Sequence, residues 1–231
     1  GLLALNEAGY LQEINKIHVS GELNADDWSN LKGMTNLIEV DLNGVLNTSL
    51  PDQQFYGKWA ITQVQVPAGL QSIGASAFYG SGIQQIDLPE TLLQINNSAF
   101  RGCTSLQSIV IPEAVTTLGT SVFRDCYALN TVKLPAGVSS IPSYTFYNCN
   151  LQEVVIPDNV KSIGSYAFYS NDYLTRVQFP EGLSTIGSDA FQNCWSLDSL
   201  QMPSTLTSLG NWSFANCRSL HTVQLNEGLS E

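Results

Sequence analysis

The sequence is poor in the residues that catalytic, metal-binding and nucleic-acid-binding sites need. Its 231 residues contain two histidines, two methionines and nine basic residues against 20 acidic ones, so the formal net charge is −11. An acidic chain without a basic stripe argues against nucleic acid or an anionic membrane as a partner. No apolar run is long enough to span a bilayer. We therefore expect no nucleic acid and no transmembrane segment.

The two histidines give no support to an active site. His18 and His221 lie near opposite ends of the chain, and neither has an evident Ser, Asp or Cys partner in the sequence. A catalytic triad or a metal cluster needs such groups together. The glycines recur at regular spacing as turn residues, so they form no phosphate-binding loop. We expect no catalysis, no metal and no cofactor.

The chain repeats itself every 22 or 23 residues. The regular units begin at Ile61, Ile83, Leu106, Leu129, Leu151, Leu174 and Leu197. Self-similarity at a short fixed period indicates a stack of similar units. Each unit in such a stack contacts mainly its neighbours, so the repeat predicts one elongated solenoid.

Each unit opens with the pattern Leu-x-x-Ile-x-Ile-Pro, as in Leu106, Ile109, Ile111 and Pro112. Apolar residues at alternate positions predict a half-buried strand, which the proline ends. A second apolar pair is followed by a residue for which we predict a left-handed backbone, and it is usually glycine. The residues at this place are Gly74, Asn96, Gly119, Gly164, Gly187 and Gly210. Pro142 stands there in one unit and predicts a locally different turn.

Each unit closes with the pattern Ser-x-Phe-x-x-Cys. Its phenylalanines are Phe55, Phe78, Phe100, Phe123, Phe146, Phe168, Phe191 and Phe214. We predict that a short helical or 3₁₀ turn carries each ring into the core. Two residues later we expect a left-handed position that ends the turn. Its residues are Gly57, Gly80, Gly102, Asp125, Asn148, Ser170, Asn193 and Asn216.

The five cysteines all stand three residues after a repeat phenylalanine. They are Cys103, Cys126, Cys149, Cys194 and Cys217. Parallel side chains in neighbouring units suit a disulfide poorly, and the close-spaced pairs of zinc sites are missing. We predict five buried, reduced and unreactive thiols that act as small core residues with a weak S–H donor.

The motif L-x-x-I-x-I-P-x-x-V-x-x-[IL]-G-x-x-x-F-x-x-C closely resembles the BspA-like (treponemal-type) leucine-rich repeats of bacterial surface proteins. The resemblance covers about Leu37 to Leu229. It implies a right-handed leucine-rich repeat solenoid, β-rich with short helical or 3₁₀ turns, whose parallel sheet lies on the concave side. It also implies an exported, often lipid-anchored protein implicated in adhesion. The repeats are framework, so no catalytic residue carries over.

The chain divides into a predicted N-terminal cap, 1–36, and a repeat array, 37–231, whose units have 22–24 residues and whose last unit is incomplete. In the cap we expect an edge strand and then a helix with Asn24 as its N-cap. The helix presents three apolar residues on one face: Trp28, Leu31 and Met34. The chain begins at Gly1 without a signal peptide, which we interpret as a processed or recombinant segment. At Glu231, either the native chain continues or the last unit is frayed.

The concave sheet is the first candidate binding surface. Stacked strands project the same unit positions in rows, and here these positions carry mostly neutral amides and hydroxyls. The candidate binding residues are Gln63, Gln85, Gln107, Gln152, Arg176, Gln178 and Gln201. Such rows would suit a polysaccharide or an extended protein, with Val110 and Val155 as an apolar spot. The alternative is that these side chains only solvate the strands.

An aromatic strip is the second candidate. Tyr144 and Tyr166 occupy one column of adjacent units, and Tyr147 and Tyr169 occupy another. Columns of adjacent units stand about 5 Å apart, so these rings are expected to lie together. Four more aromatic residues are expected on the same side: Tyr127, Tyr173, Trp195 and Trp212. Exposed aromatic strips bind sugars or protein hot spots, and the alternative is that the rings pack on one another.

Together these patterns favour a non-catalytic recognition and adhesion module, secreted or on the bacterial cell surface. Its expected partner is an extracellular host protein or glycan, it is expected to be a monomer, and membrane attachment would need a lipid anchor that was removed. The alternative is a structural spacer or a self-associating surface element that displays other domains. An open last strand would favour such end-to-end stacking.

Overall fold

The protein, described here by a computed structural model over residues 9–225, is a stack of parallel strands with one α-helix near its N-terminus. Residues before Gly9 and the rest of the incomplete last unit, including Leu229, lie outside the described residues. In chain order the elements are a 3₁₀ turn Tyr10–Gln12, β1 Lys16–Gly21, α1 Ala25–Gly33, β2 Glu39–Val45, β3 Ser49–Leu50, β4 Gln63–Gln65, β5 Ser72–Ile73, β6 Gln94–Ile95, β7 Ser108–Val110, β8 Thr117–Leu118, β9 Thr131–Lys133, β10 Ser140–Ile141, β11 Glu153–Val155, β12 Ser162–Ile163, β13 Arg176–Gln178, β14 Thr185–Ile186, β15 Ser199–Gln201, β16 Ser208–Leu209 and β17 Thr222–Gln224.

The strands that open the units form one side of the solenoid, which we call the first-strand face. β1, β2 and β4 pair in parallel, as do β7 with β9, β11 with β13, and β15 with β17. Each three-residue strand from β4 to β15 turns its middle residue inward and exposes the two flanking ones. The predicted parallel sheet of a leucine-rich repeat solenoid is therefore confirmed.

A second parallel sheet, which the sequence pattern did not predict, follows the second apolar pair of each unit. It consists of two-residue strands in two runs, β3-β5-β6-β8 and β10-β12-β14-β16. In the central strands the second residue points into the core, as Ile73 and Ile95 do, and the first faces outward. Strands this short have no visible alternation, so only their pairing identifies them.

The phenylalanine column forms the middle of the core, as predicted. The seven rings from Phe55 to Phe191 are fully buried, and Phe214 is half-buried. Successive ring centroids lie 5.0–5.4 Å apart. Each buried ring stabilises the stack by about 2–3 kcal/mol, and it can do so only with a unit on either side.

The corner that carries each phenylalanine is a series of turns, so the predicted helical or 3₁₀ turn is wrong. In the unit of Phe78, the N–H groups of Ser76, Phe78 and Gly80 donate to carbonyls of the next unit at 2.7–2.9 Å. The N–H groups between them close turns within their own unit. Because every second donor leaves the unit, no run of helical hydrogen bonds forms. The left-handed position two residues after the phenylalanine is confirmed in all eight units, from Gly57 to Asn216.

The predicted left-handed backbone at the glycine after the second apolar pair is also wrong. The positive φ angles lie two residues later instead, at Ser76, Ser98, Ser121, Tyr144, Tyr166, Asp189 and Trp212. The structure favours glycine at this place because a side chain has no room there. A Cβ on Gly187 would stand 2.5 Å from the backbone nitrogen of Ser165 in the preceding unit. Pro142 causes no different turn, since Tyr144 after it has a φ of 61°, close to the 60° of Tyr166.

The predicted N-terminal helix is confirmed as α1. The side chain of Asn24 accepts hydrogen bonds from the backbone nitrogens of Asp26 and Asp27 at 2.9 and 3.0 Å, and the carboxylate of Asp27 accepts one from the backbone of Asn24. This reciprocal capping box satisfies donors that a helix N-terminus would otherwise leave free. Trp28, Leu31 and Met34 are buried against the repeat core.

Candidate functional site

The first-strand face carries the glutamine rows where the sequence placed them. All seven candidate residues of this face are exposed, from Gln63 to Gln201. Three strands, β4, β13 and β15, hold four of them at the outward positions beside a buried middle residue: Gln63, Arg176, Gln178 and Gln201. Exposed amides in neighbouring units give this face donors and acceptors with little charge.

The series of opening strands on the first-strand face is interrupted in one unit of the described range. The stretch that opens at Ile83 forms an isolated bridge, Gln63 to Gln85, where its neighbours form three-residue strands. A depression of about 500 Å³ lies at this interruption, lined among others by Gln63, Gln65, Gln85 and Asp87. A second one, of about 300 Å³, continues it on the other side of Asp87 as far as Val110. The two depressions share Gln85 and Asp87 and form a shallow groove across the polar rows.

A further depression of about 490 Å³ lies on the same face, nearer the C-terminal end of the stack. It is lined by Asn130, Thr131, Gln152, Glu153, Tyr173 and Thr175. The hydroxyl of Thr175 donates to the carbonyl of Gln152 at 3.0 Å, and that of Thr131 donates to the side chain of Asn130 at 2.9 Å. Gln152 and Tyr173, predicted for two different candidate surfaces, therefore border one site.

The predicted apolar spot on this face is exposed as expected. Val110 and Val155 are 61% and 62% exposed, and Lys133 stands between them in the row. The ammonium group of Lys133 reaches Glu113 at 2.9 Å. The two valines therefore form separate apolar points within a polar row.

The four tyrosines of the predicted strip stack in pairs. The ring centroids of Tyr144 and Tyr166 lie 4.9 Å apart, and those of Tyr147 and Tyr169 lie 4.8 Å apart. All four side chains are half-buried, and the two columns also touch each other at 5.7–5.8 Å. The rings cover much of each other's faces, so mainly their edges and hydroxyl groups face solvent.

Three of the other aromatic residues stand outside these two columns, and Trp212 stands in the column of Tyr144 and Tyr166, separated from Tyr166 by Asp189. Tyr127, Tyr173, Trp195 and Trp212 are exposed to between 42% and 71%. Trp195 lies under the guanidinium of Arg218, whose Cζ is 4.7 Å from the ring centroid. Trp212 has a positive φ of 61°, which is uncommon for a bulky residue.

Two arginines continue the column of Tyr147 and Tyr169, and neither was among the residues predicted for a binding site. The residues after the first six repeat phenylalanines give one column, which we call the tyrosine–arginine column: Tyr56, Tyr79, Arg101, Arg124, Tyr147 and Tyr169. The Cζ atom of Arg101 lies 5.4 Å from the ring centroid of Tyr79, and that of Arg124 lies 4.7 Å from the centroid of Tyr147. Aligning the units on their phenylalanines would have shown this column.

Each histidine has an aspartate partner, contrary to the expectation from the sequence. Nδ1 of His18 lies 2.7 Å from Oδ2 of Asp41, and Nδ1 of His221 lies 3.3 Å from Oδ1 of Asp198. The pKa of Asp41 is lowered, first by the backbone N–H of Asn43 and then by His18. These partners stand one unit away and align only in the stack. Within residues 9–225, no group of three His, Cys, Asp or Glu side chains is placed to hold a metal ion.

The cysteine column is buried as predicted, except at its last member. The four thiols from Cys103 to Cys194 are buried, Cys217 is half-buried, and all five are free. Each Sγ donates to the carbonyl of the phenylalanine in the preceding unit at 3.1–3.3 Å. Burial raises the pKa of Cys103 to about 12 and that of Cys217 to about 11. Protonated thiols are poor nucleophiles, so the column is structural.

Comparison with known proteins gives the family of the chain. The family model of the BspA type leucine-rich repeat region, in six copies, matches residues 48–170 and 139–231. The chain belongs to the BspA-type leucine-rich repeat family. Leucine-rich repeat proteins of this bacterial surface type are typically protein-interaction modules. No well-characterised protein was found whose sequence matches this BspA-type chain.

Solved structures of bacterial leucine-rich repeat proteins share the fold. A protein from Bacteroides ovatus superposes with a TM-score of 0.78 at 24% identity over 94% of this chain, which spans 63% of that protein's length. The T. pallidum leucine-rich repeat protein has a TM-score of 0.55 at 28% identity, over 80% of this chain and 78% of its own. A leucine-rich cell surface protein from Faecalibacterium prausnitzii superposes with a TM-score of 0.56 at 22% identity, over 85% of this chain and 71% of that protein.

The described part of this BspA-type chain contains no helix that is both long and apolar enough to cross a membrane.

Proposed function

We propose that this protein is a non-catalytic recognition module, exported or displayed on a bacterial surface, that binds an extracellular protein or polysaccharide through its first-strand face. The observation that carries the proposal is the groove beside the isolated bridge from Gln63 to Gln85, where exposed amides from neighbouring units line about 500 Å³ of open space. Membership in a family of surface repeats supports it.

The chemistry of the groove favours recognition over catalysis. An enzyme site needs titratable groups that converge in one pocket. The depression beside Gln63 and Gln85 contains a single carboxylate, Asp87, and its continuation adds only Glu90. The depression beside Tyr173 contains only Glu153. Amides and hydroxyls offer paired donors and acceptors to a ligand of low charge, such as a polysaccharide or an extended polypeptide.

The proposal is tested by binding the purified chain to an array of glycans and extracellular-matrix proteins. Gln85→Arg with Gln152→Arg places a long charged side chain in each of two depressions. Gln71→Arg with Gln94→Arg makes the same chemical change at two exposed positions, one beside the second sheet and one within it, and serves as the control. We expect the first double variant to lose binding by at least about tenfold, since a total loss of about 1.4 kcal/mol suffices, and the control to keep it.

Two outcomes would contradict the proposal. Loss of binding only in a variant with Tyr144, Tyr147, Tyr166 and Tyr169 changed to Ala, with its fold verified by melting, would move the site to the aromatic strip. Absence of any binding, together with a molecular mass that rises with concentration, would support the alternative of a structural or self-associating element.

A further inference from the structure

Two arginines stand side by side in an acidic protein and leave most of their hydrogen-bonding capacity unused. Arg101 and Arg124 are consecutive members of the tyrosine–arginine column. Their Nε atoms are shielded from solvent and make no hydrogen bond. Their side chains remain 31% and 29% exposed, so the guanidinium groups reach the surface with donors to offer.

One carboxylate serves both guanidinium groups. Oδ2 of Asp125 lies 3.6 Å from Nε of Arg101 and 3.3 Å from Nε of Arg124. The site therefore carries two positive charges and one negative charge, in a chain whose formal charge is −11. Two like charges in adjacent units repel each other. A second anion at the outer ends of the guanidinium groups would relieve that repulsion.

Aromatic rings fix both arginines in place. Arg101 lies over Tyr79, with its Cζ 5.4 Å from the ring centroid. Arg124 lies over both Tyr144 and Tyr147, with its Cζ 5.2 and 4.7 Å from their respective ring centroids. Cation–π contacts hold the guanidinium planes in one orientation, so little conformational entropy is lost when a ligand binds. The site is thus preorganised for a planar or tetrahedral anion.

We propose that Arg101 and Arg124 bind the carboxylate or sulfate groups of an acidic polysaccharide that lies along the tyrosine–arginine column. The column continues for two units on each side of the arginines. The ring centroids of Tyr56 and Tyr79 lie 4.7 Å apart, and those of Tyr147 and Tyr169 lie 4.8 Å apart. Its rings already cover each other's faces, so it offers hydroxyls, ring edges and N–H donors. That surface fits a hydroxylated polymer better than a protein hot spot, which needs a desolvated apolar pocket.

The site at Arg101 and Arg124 goes beyond the proposed function, because it lies on the corner that carries the phenylalanines and not on the first-strand face. The overall negative charge does not prevent binding. At about 0.1 M salt the screening length is about 10 Å, so scattered acidic residues farther away contribute little.

The test is a calorimetric titration with polygalacturonate and dextran sulfate at about 0.1 M salt, with neutral dextran and poly-L-glutamate as comparison polymers. We expect the wild-type protein to bind one or both acidic polysaccharides and not dextran. Arg101→Gln with Arg124→Gln is expected to weaken this binding by about tenfold or more. Lys32→Gln with Lys161→Gln removes the same charge at exposed positions elsewhere and should leave the affinity within about twofold.

A second variant tests the site by strengthening it. Asp125→Asn removes the one carboxylate that competes with the ligand, and the affinity should rise by about three- to tenfold. The substitution suits the backbone, because asparagine has the same positive φ at this place in Asn148, Asn193 and Asn216. An unfolded variant cannot mimic such a gain.

Three results would overturn the inference. The first is equal affinity of the wild-type and the double arginine variant for the acidic polysaccharides. The second is an affinity that Asp125→Asn leaves unchanged or lowers. The third is tighter binding of poly-L-glutamate than of either polysaccharide, which would assign the site to an acidic polypeptide. Since the arginine variants leave Gln85 and Gln152 intact, failure here is separate from failure of the first-strand face.

Discussion

Glycine after the second apolar pair of a unit is required by the neighbouring unit. Gly164, Gly187 and Gly210 each bring their Cα against a backbone nitrogen of the unit before, and a Cβ would come within about 2.5 Å of it. None of the three has a positive φ. Asparagine and proline stand at this place in two units, as Asn96 and Pro142.

Gly187→Ala should therefore lower the free energy of unfolding by about 1–3 kcal/mol, because the added methyl group overlaps the backbone of Ser165 and Gly164. Gly69→Ala is the matched control, since nothing lies within 4 Å of its would-be Cβ. It should leave stability unchanged or raise it by up to about 1 kcal/mol. Urea denaturation of both variants measures the difference, and equal midpoints would contradict the steric account.

Only part of the tyrosine–arginine column could be predicted from the sequence. The sequence showed that Tyr147 and Tyr169 share a column, and their stacking is confirmed. It also contained Arg101 and Arg124 in that column, but a guanidinium over a ring is a contact between units and became visible only in the structure. Their use as a binding site remains a prediction.

At the scale of the element, the unit Leu129–Asn150 is one residue shorter than most others. In longer units the N–H of the next leucine donates to the carbonyl at the cysteine place, as Leu174 does to Asn171 at 3.0 Å. Leu151 instead donates to the side-chain oxygen of Asn171 in the following unit at 3.2 Å. Asn171 also donates to the carbonyls of Phe146 and Phe168. It therefore completes the hydrogen bonds of the shortened unit.

Asn171→Cys should destabilise the protein by about 1–3 kcal/mol, although cysteine is the most frequent residue at this place. A thiol can donate to one carbonyl, but it leaves the buried N–H of Leu151 without its acceptor. Ser81 is the other buried polar residue at the cysteine place, and Ser81→Cys should lower the free energy of unfolding by less than about 1 kcal/mol. Thermal melting of both variants distinguishes them, and a stabilised Asn171→Cys would contradict this role.

At the scale of the whole molecule, the buried thiols connect stability to pH. Folding holds the pKa of Cys103 at about 12 against an ordinary value of 9.0, and burial raises the pKa of Cys126 well above that value too. The stabilisation is fully present below about pH 9. Above it the unfolded chain releases protons that the folded chain retains, so stability falls as pH rises toward the folded-state pKa values.

Each such thiol should lower the free energy of unfolding by about 1.4 kcal/mol per pH unit above about pH 9. Cys103→Ser with Cys126→Ser should reduce the slope by about 3 kcal/mol per pH unit between pH 9.5 and roughly 11. Urea denaturation at several pH values measures the slope, and other titrating groups cancel in the comparison. Identical slopes would show that these thiols ionise in the folded state.

The sequence by itself determined the repeat, the opening strands, the phenylalanine and cysteine columns and the capped N-terminal helix. These features follow from local patterns, and the repeat shows each pattern several times, so every column is sampled in several units. The family resemblance rested on the same positions and is confirmed.

The tertiary structure decided the features that arise between units. These are the second sheet of two-residue strands, the place of the left-handed residues, the isolated bridge at Gln85 and the guanidinium groups stacked on tyrosine rings. Each depends on how one unit sits on the next, about 5 Å away in space but 22 or 23 residues away in the chain. Local propensity carries no information about that contact, because only the packed stack determines which backbone groups and side chains meet.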